Sequence, residues 1–238
     1  MPEEGNIDSA RLALLYQISG VVSSARSLDE ILDTLIRLAV SVTRCDACLL
    51  FLCAGNELVL RASQLNHSDE IGQLRLRPGE GVAGWVLKHR SVVALQSNAF
   101  EDDRFRKFPS LIEDTYQAFL SAPLMTGGEV IGVINIHHRN PYRHSADEIA
   151  LVLFLGEQMG GAIARARLEE EKLEMQRRLE TRKLVERAKG ILQHTCNLTE
   201  EEAYLKLRNE SRRRRRSMHE LAQAVILSDG LARDAKER

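Results

Sequence analysis

The chain has 238 residues, 44% of them apolar and 28% charged, with a formal net charge of −1, which suits one large globular domain or two modest ones. No run approaches the ~20 consecutive apolar residues of a membrane span, and the acidic start MPEEGNIDSA lacks the basic-then-apolar form of a secretion leader. Four cysteines, with Cys45, Cys48 and Cys53 clustered, make no disulfide framework in a chain this long, so the expectation is a reducing cytoplasm and no membrane partner.

The first apolar stripe, Leu12, Leu15, Ile18 and Val22 with Leu14 broadening it, has helical spacing. Ser27 and Glu30 then form an S-x-x-E capping box ahead of Ile31, Leu32, Leu35, Ile36 and Ala39, which predicts a second helix. ACLLFLCAGNELVLRAS reads as two strands turned over AGNE, where Gly55 and Asn56 tolerate turn geometry. Pro78, Gly79, Gly81 and Gly84 make a loop that leads into a short helix around Trp85, and VVAL is a further strand. A long polar and aromatic connection follows. AFLSAPLM and EVIGVINIHH are the last strands, turned at Thr126-Gly127-Gly128, and the pair His137-His138 reads as surface polarity at a strand end. Ser145 and Glu148 cap a final helix through EIALVLFLGEQMGGAIARA. Helices, two strands, loop, strands and helix in this order predict an α+β domain, an antiparallel sheet flanked by helices.

The blocks RPGEGVAGWV, EDDRF, SAPLMTGGEVIGVINIHH and HSADEIALVLFLGEQMGGAIARA, in this order across residues 8–168, resemble those of a GAF domain. The resemblance implies a pocket for a small ligand beneath the loop and helix connections over the sheet. By placement Trp85, Phe100, Phe105, Phe108, Tyr116 and Ser121 are its candidates, although aromatic side chains of a small domain also simply fill the core. The N-K…F…D-E pattern of cyclic-nucleotide-binding members and a bilin-attachment cysteine are both missing, so the ligand has no name and no cofactor is identified. Some GAF proteins reduce free methionine sulfoxide with cysteine pairs. Here the thiols sit at the boundary between a helix and the first strand, Cys48 reads as an ordinary buried strand residue, and no second pair completes a zinc site. Neither an enzyme nor a metal centre is the expectation.

After Ala164 the chain becomes charged and helical, and no glycine or proline interrupts Arg165 to Lys189. Leu168, Met175 and Leu179 keep a broken heptad spacing, Arg182 being polar, so the segment reads as a coiled-coil dimer connector or as a lone solvated helix. Residues 165–238 hold 19 Lys/Arg against 14 Asp/Glu, a net of +5, which leaves −6 for residues 1–164. A split of this kind makes the C-terminal part the candidate for a polyanion.

Leu184, Val185, Ala188, Ile191 and Leu192 form one apolar face, broken at HTCN. Thr199 and Glu202 cap a second helix striped by Ala203, Leu207 and Ser211. Ser217 and Glu220 cap a third, with Met218, Leu221, Ala222, Val225 and Ile226 inward and Gly230 at its end or just beyond it. Five arginines, Arg212 to Arg216, fall between the second and third helices as a short basic hinge. One or two would complement the helix dipole. Five exceed that need, and phosphate contacts account for the surplus. Arg208, Arg212 and Arg215/Arg216 continue one helix edge, and Tyr204 lies on the same line, as a base-stacking residue or as core beside Ala203.

VERAKGILQ, LTEEEAYLKLRNES and HELAQAVI are similar to the ANTAR domain, the RNA-binding module of bacterial transcription antiterminators, over about residues 178–230. That resemblance implies paired RNA hairpins in leader transcripts as the partner. It points to Lys189 and Arg208 as contacts, with Ser211 and Arg212, Arg213, Arg214, Arg215 and Arg216 beside them; by spacing alone Lys189 reads as a solvated lysine off the stripe. Gln193 stands where the family usually has methionine, and the arginine run is richer than usual.

The reading is therefore a GAF sensor over residues 1–164, a helical connector over 165–181 and an all-α three-helix ANTAR domain over 182–238, joined by a long helix. Such a chain is expected to be a signal-responsive, non-enzymatic antiterminator working as a homodimer. A DNA-binding regulator is the alternative, and an interaction adaptor with an idle basic loop is the more remote one.

Overall fold

The computed structural model describes residues 12–13, 15–20, 27–108, 110–111 and 115–234. Of the first predicted stripe, Leu14 and Val22 lie outside these residues; Leu12 and Leu15 are exposed and Ile18 is buried. The chain divides into two compact units, Met1–Arg167 and Leu168–Arg238.

In the first unit, helix α1 (Leu28–Thr43) starts where Ser27 Oγ accepts the Glu30 N–H at 3.2 Å. Leu28, Ile31, Leu32, Leu35, Ile36 and Ala39 are its buried face, each large side chain contributing about 1.5–3 kcal/mol of transfer free energy. Strands β1 (Ala47–Ala54) and β2 (Glu57–Ser63) form a hairpin, followed by a two-residue strand β3 (Arg75–Leu76) within what the sequence suggested was loop. Helix α2 (Gly81–His89) and strand β4 (Val93–Leu95) come next. A 3-10 turn at Ala99–Glu101 precedes β5 (Ala118–Thr126) and β6 (Glu129–His138).

The sheet order is β3-β2-β1-β6-β5-β4, and every neighbouring pair is antiparallel. Central β1 is covered on both faces, which is why ACLLFL reads as an unbroken apolar run. Leu50 and Leu52 join the core under α1 and the long helix, whereas Leu49 and Phe51 join a second core with Val82, Ala83 and Val86 of α2. Pro123 lies in β5 opposite Val133 of β6, beyond the stretch Phe119–Ser121 that pairs with β4.

Helix α3 (Ala146–Cys196) is 51 residues long, about 75 Å at 1.5 Å per residue. Ser145 Oγ accepts the Glu148 N–H at 3.1 Å while Glu148 accepts from the Ser145 N–H at 2.8 Å, a complete capping box. An 18-residue window of α3 reaches a mean hydropathy of 1.3, enough by length and composition for a membrane span; Val152, Leu155, Met159, Ala162 and Ile163 bury against the sheet, which accounts for that apolar character. Gly156 and Gly160 let α3 lie directly on β5: a methyl group on Gly160 would drive into the Met125 carbonyl oxygen.

In the second unit α3 ends at Cys196, and Asn197 after it takes a left-handed φ of 52°. Thr199 caps α4 (Glu200–Arg214) with both halves of its box, and Ser217 caps α5 (Met218–Asp234) with Glu220 in the same manner. Val185 and Ala188 of α3, Ala203 and Leu207 of α4 and Ala222 of α5 are buried, with Leu184, Leu192, Met218, Val225 and Ile226 packed around them. Gly230 does not end the third helix. It lies inside α5, which continues to Asp234, with nothing within 4 Å of its missing Cβ.

Candidate nucleic-acid interface and sensor cavity

The arginine run is a helix end and not a five-residue hinge. Arg212, Arg213 and Arg214 complete the last turn of α4, where positive charge complements the exposed carbonyls. Arg215 then adopts φ 52°, ψ 39°, the left-handed cap that stops the helix, and its N–H reaches the Arg212 and Ser211 carbonyls. Ser211 Oγ donates to the Arg216 carbonyl at 2.6 Å, so this hydroxyl closes the turn. Arg216 leads into the Ser217 cap.

The five side chains are not equivalent. Glu210 accepts from Arg213 at 2.8 Å and from Arg214; these two guanidinium groups hold its carboxyl below the usual carboxylate range. Arg216 pairs with Glu220 at 3.0 Å. Among the described residues, Arg208, Arg212 and Arg215 have no carboxylate partner, and all three are exposed. Tyr204, Arg208 and Arg212 follow one another at i, i+4 and i+8 along α4, and Tyr204 is 42% exposed, on the surface beside buried Ala203.

Lys189 is not a solvated lysine. Its side chain is 9% exposed and its Nζ reaches Glu200 at 2.7 Å and Glu186 at 2.9 Å. The hydrogen bonds it donates to Glu200 and then to Glu186 hold its ammonium above the ordinary lysine value. Glu200 is the first residue of α4, so Lys189 ties α3 to α4. A pair eleven residues apart across a helix break carries no periodic signal, and the spacing of the stripe gives no hint of it.

In the first unit, Phe105 and Phe108 come to the wall of a cavity of about 30 Å³, between Phe51 and Phe119 of the sheet and Val82 of α2. Room of that size holds about one water. Asn135 and His137 give it a polar floor. Asn135 Oδ1 accepts from Ser121 Oγ at 2.8 Å, so buried Ser121 stands behind Asn135 and not at the cavity. The other aromatic candidates lie elsewhere. Trp85 stacks on His89 with centroids 4.1 Å apart and carries the Arg104 guanidinium over its ring. Phe100 is 43% exposed, and buried Tyr116 accepts from Arg139 Nε at 3.0 Å. Asn135 was missed because it occupies an inward position of an otherwise apolar strand.

His137 and His138 are buried, contrary to the expected surface polarity. His137 meets Phe119 edge-on at 4.4 Å. His138 stacks on Tyr142 and its Nε2 lies 3.2 Å from the Nε2 of His144, whose pKa burial and the neighbouring His138 push down to about 4. The Cys45 and Cys48 thiols are buried and pushed up by desolvation, and no cysteine reaches the small cavity.

A six-stranded antiparallel sheet with helices on both faces and a cavity under the α2 side define a GAF-type fold, and residues 27–163 match the GAF domain model. The chain belongs to the GAF family and carries a second domain behind it, residues 173–226 matching the ANTAR domain model. Among solved structures it resembles the GAF domain of a phosphoenolpyruvate-protein phosphotransferase (ptsP) from Coxiella burnetii, 30% identical, covering 67% of this chain and 96% of that one with a TM-score of 0.61. The GAF domain of the Acinetobacter phosphoenolpyruvate-protein phosphotransferase is 26% identical over 67% of this chain and 96% of that one, with a TM-score of 0.59. The transcriptional regulatory protein PdtaR of Mycobacterium tuberculosis is 42% identical over 67 residues, which is 28% of this chain. The match spans about a third (33%) of that relative's length.

Proposed function

We propose that the protein is a cytoplasmic, non-enzymatic regulator whose ANTAR domain binds paired RNA hairpins in leader transcripts and so prevents termination. The observation that carries this reading is the exposed line Tyr204–Arg208–Arg212, continued by Arg215, on which the arginines lack carboxylate partners among the described residues. Guanidinium groups pair bidentately with phosphate and an adjacent phenol ring stacks on an unpaired base, which suits hairpin loops better than the closed A-form major groove. The ANTAR match and the PdtaR likeness support a transcriptional regulator of the antiterminator type. Lys189 enters this reading as the residue that sets α4 against α3, and Ser211 as the one that closes its end.

The signal enters through the GAF domain. A ligand or partner that prefers one packing of the cavity floored by Asn135 and His137 shifts the population of states. Leu168, Met175 and Leu179 are 65%, 70% and 54% exposed on α3, and a second copy of the chain covers them in the active homodimer. The test is an electrophoretic shift assay with the full chain at two salt concentrations. Paired-hairpin RNA is expected to bind more tightly than scrambled RNA and duplex DNA; equal affinity for duplex DNA replaces the RNA reading with a DNA-binding one. A monomeric mass at micromolar concentration in sedimentation overturns the dimer.

A further inference from the structure

A second cavity of the first unit lies away from the one under α2. It measures about 170 Å³ and opens at the sheet edge between the end of β1, β2, the loop at Gly72 and the last residues of this unit on α3. Three of its walls are arginines: Arg61 of β2, Arg75 of β3 and Arg167 of α3. Cys53 forms part of the apolar base; its thiol donates to the Val130 carbonyl at 3.4 Å, and burial pushes its pKa up, so it brings no negative charge.

Among the described residues no carboxylate lines this cavity. Glu57 lies 3.6 Å from Arg75 but divides its charge with Arg77 at 3.8 Å. Among the described residues Arg61 and Arg167 have no carboxylate partner, and both are half-buried. Three like charges drawn from two strands and a helix repel one another across a partly desolvated space. A compact oxyanion relieves that repulsion, because a guanidinium fork matches phosphate oxygens two at a time. The volume is below the roughly 300 Å³ of a cofactor pocket, which favours a small group.

We propose that Arg61, Arg75 and Arg167 form an anion site for a compact phosphate-type dianion, either free phosphate or the phosphoryl group of a small metabolite. The bound anion bridges the sheet edge to α3, the helix that continues out of the GAF domain. The site is separate from the small cavity under α2 and does not rest on the RNA reading.

Titration calorimetry with the full chain tests it, in an Arg208→Gln/Arg212→Gln/Arg215→Gln background so that the unpaired C-terminal arginines do not contribute. The probes are inorganic phosphate and 3-phosphoglycerate, with chloride at matched ionic strength as control. Saturable binding of one equivalent is expected; tighter binding of the ester assigns the site to a phosphorylated metabolite, and equal or tighter binding of inorganic phosphate assigns it to the free anion. Arg61→Gln and Arg167→Gln each weaken binding about ten- to hundredfold, the worth of a charge-assisted hydrogen bond, whereas Arg143→Gln, at an exposed residue outside the cavity, leaves it within about twofold. Arg61→Lys and Arg167→Lys keep the charge without the fork and fall between, which guards against a glutamine variant that does not fold. Non-saturable heat, competition by chloride, or unchanged affinity in the folded Arg61 and Arg167 variants overturns the proposal.

Discussion

The division of the arginines into carboxylate-paired and unpaired sets makes a quantitative prediction for the salt dependence of RNA binding. Replacing Arg208, Arg212 and Arg215 together by glutamine removes three charges that no internal carboxylate offsets. Each phosphate contact contributes about 0.7 (single strand) to about 0.9 (duplex) to the slope of log K against log salt, so the triple variant flattens the slope by about 2.1 to 2.7. Between about 50 and about 200 mM salt, the wild-type protein then loses about 20- to 40-fold more affinity than the variant. The companion variant with Arg213, Arg214 and Arg216 replaced removes as many charges, but Glu210 and Glu220 already cancel two of them. Its slope changes by about one at most. Filter binding across five salt concentrations, with far-UV circular dichroism to confirm helicity, measures both. Equal flattening in the two variants refutes the division, and no flattening in either removes the arginine run from the interface.

Lys189→Met is expected to lower the melting temperature of the C-terminal unit, because Glu186 and Glu200 lose their shared cation, while leaving the salt slope of RNA binding unchanged; a flattened slope would make Lys189 a direct contact. Gly160→Ala is expected to cost about 1–3 kcal/mol through overpacking against the Met125 carbonyl, whereas Gly161→Ala, whose Cβ meets only the Arg165 side chain at ordinary contact distance, gains about 0.5–1 kcal/mol of helix propensity; urea midpoints of the two variants separate them. His144 has its pKa depressed to about 4 in the folded state, below the unfolded value of about 6.5. The unfolded chain therefore binds more protons between these limits, and stability falls as pH drops from about 6.5 towards 4. His144→Gln is expected to reduce that dependence, as urea midpoints at pH 7 and 4.5 would show, and an unchanged dependence would assign it to other groups.

Local chemistry made most of the architecture legible. Ser27, Ser145, Thr199 and Ser217 each begin the helix that their side chains were read to cap, because a capping hydrogen bond spans only three residues. The strands from Ala47 to Ser63 and from Glu129 to His138 follow from apolar runs bounded by glycine turns, and Gly127 and Gly128 take positive φ as their turn requires. What escaped depends on tertiary neighbours. β3 is two residues long and exists only because β2 has an edge to pair with. His137 and His138 end a strand that loops and α3 cover, so a terminal position did not mean an exposed one. Gly230 stays helical because α5 has already met its core partners through Ala222 and Val225. The aromatic connection could be seen to supply a cavity wall, but which ring turns inward is decided by partners such as His89 and Arg139, which no spacing announces.

Glu210 and Glu220 act as built-in counterions for the arginine run. They pair with Arg213, Arg214 and Arg216, so under the proposed RNA reading a polyanion at this surface would compete with two carboxylates already in place. A nonspecific strand, which offers phosphates at arbitrary positions, recovers little from that exchange. A folded hairpin that also places a base on Tyr204 and phosphates at Arg208, Arg212 and Arg215 does not depend on it. Under the proposed RNA reading, the acidic residues would lower the background affinity for bulk RNA more than the affinity for a matching hairpin.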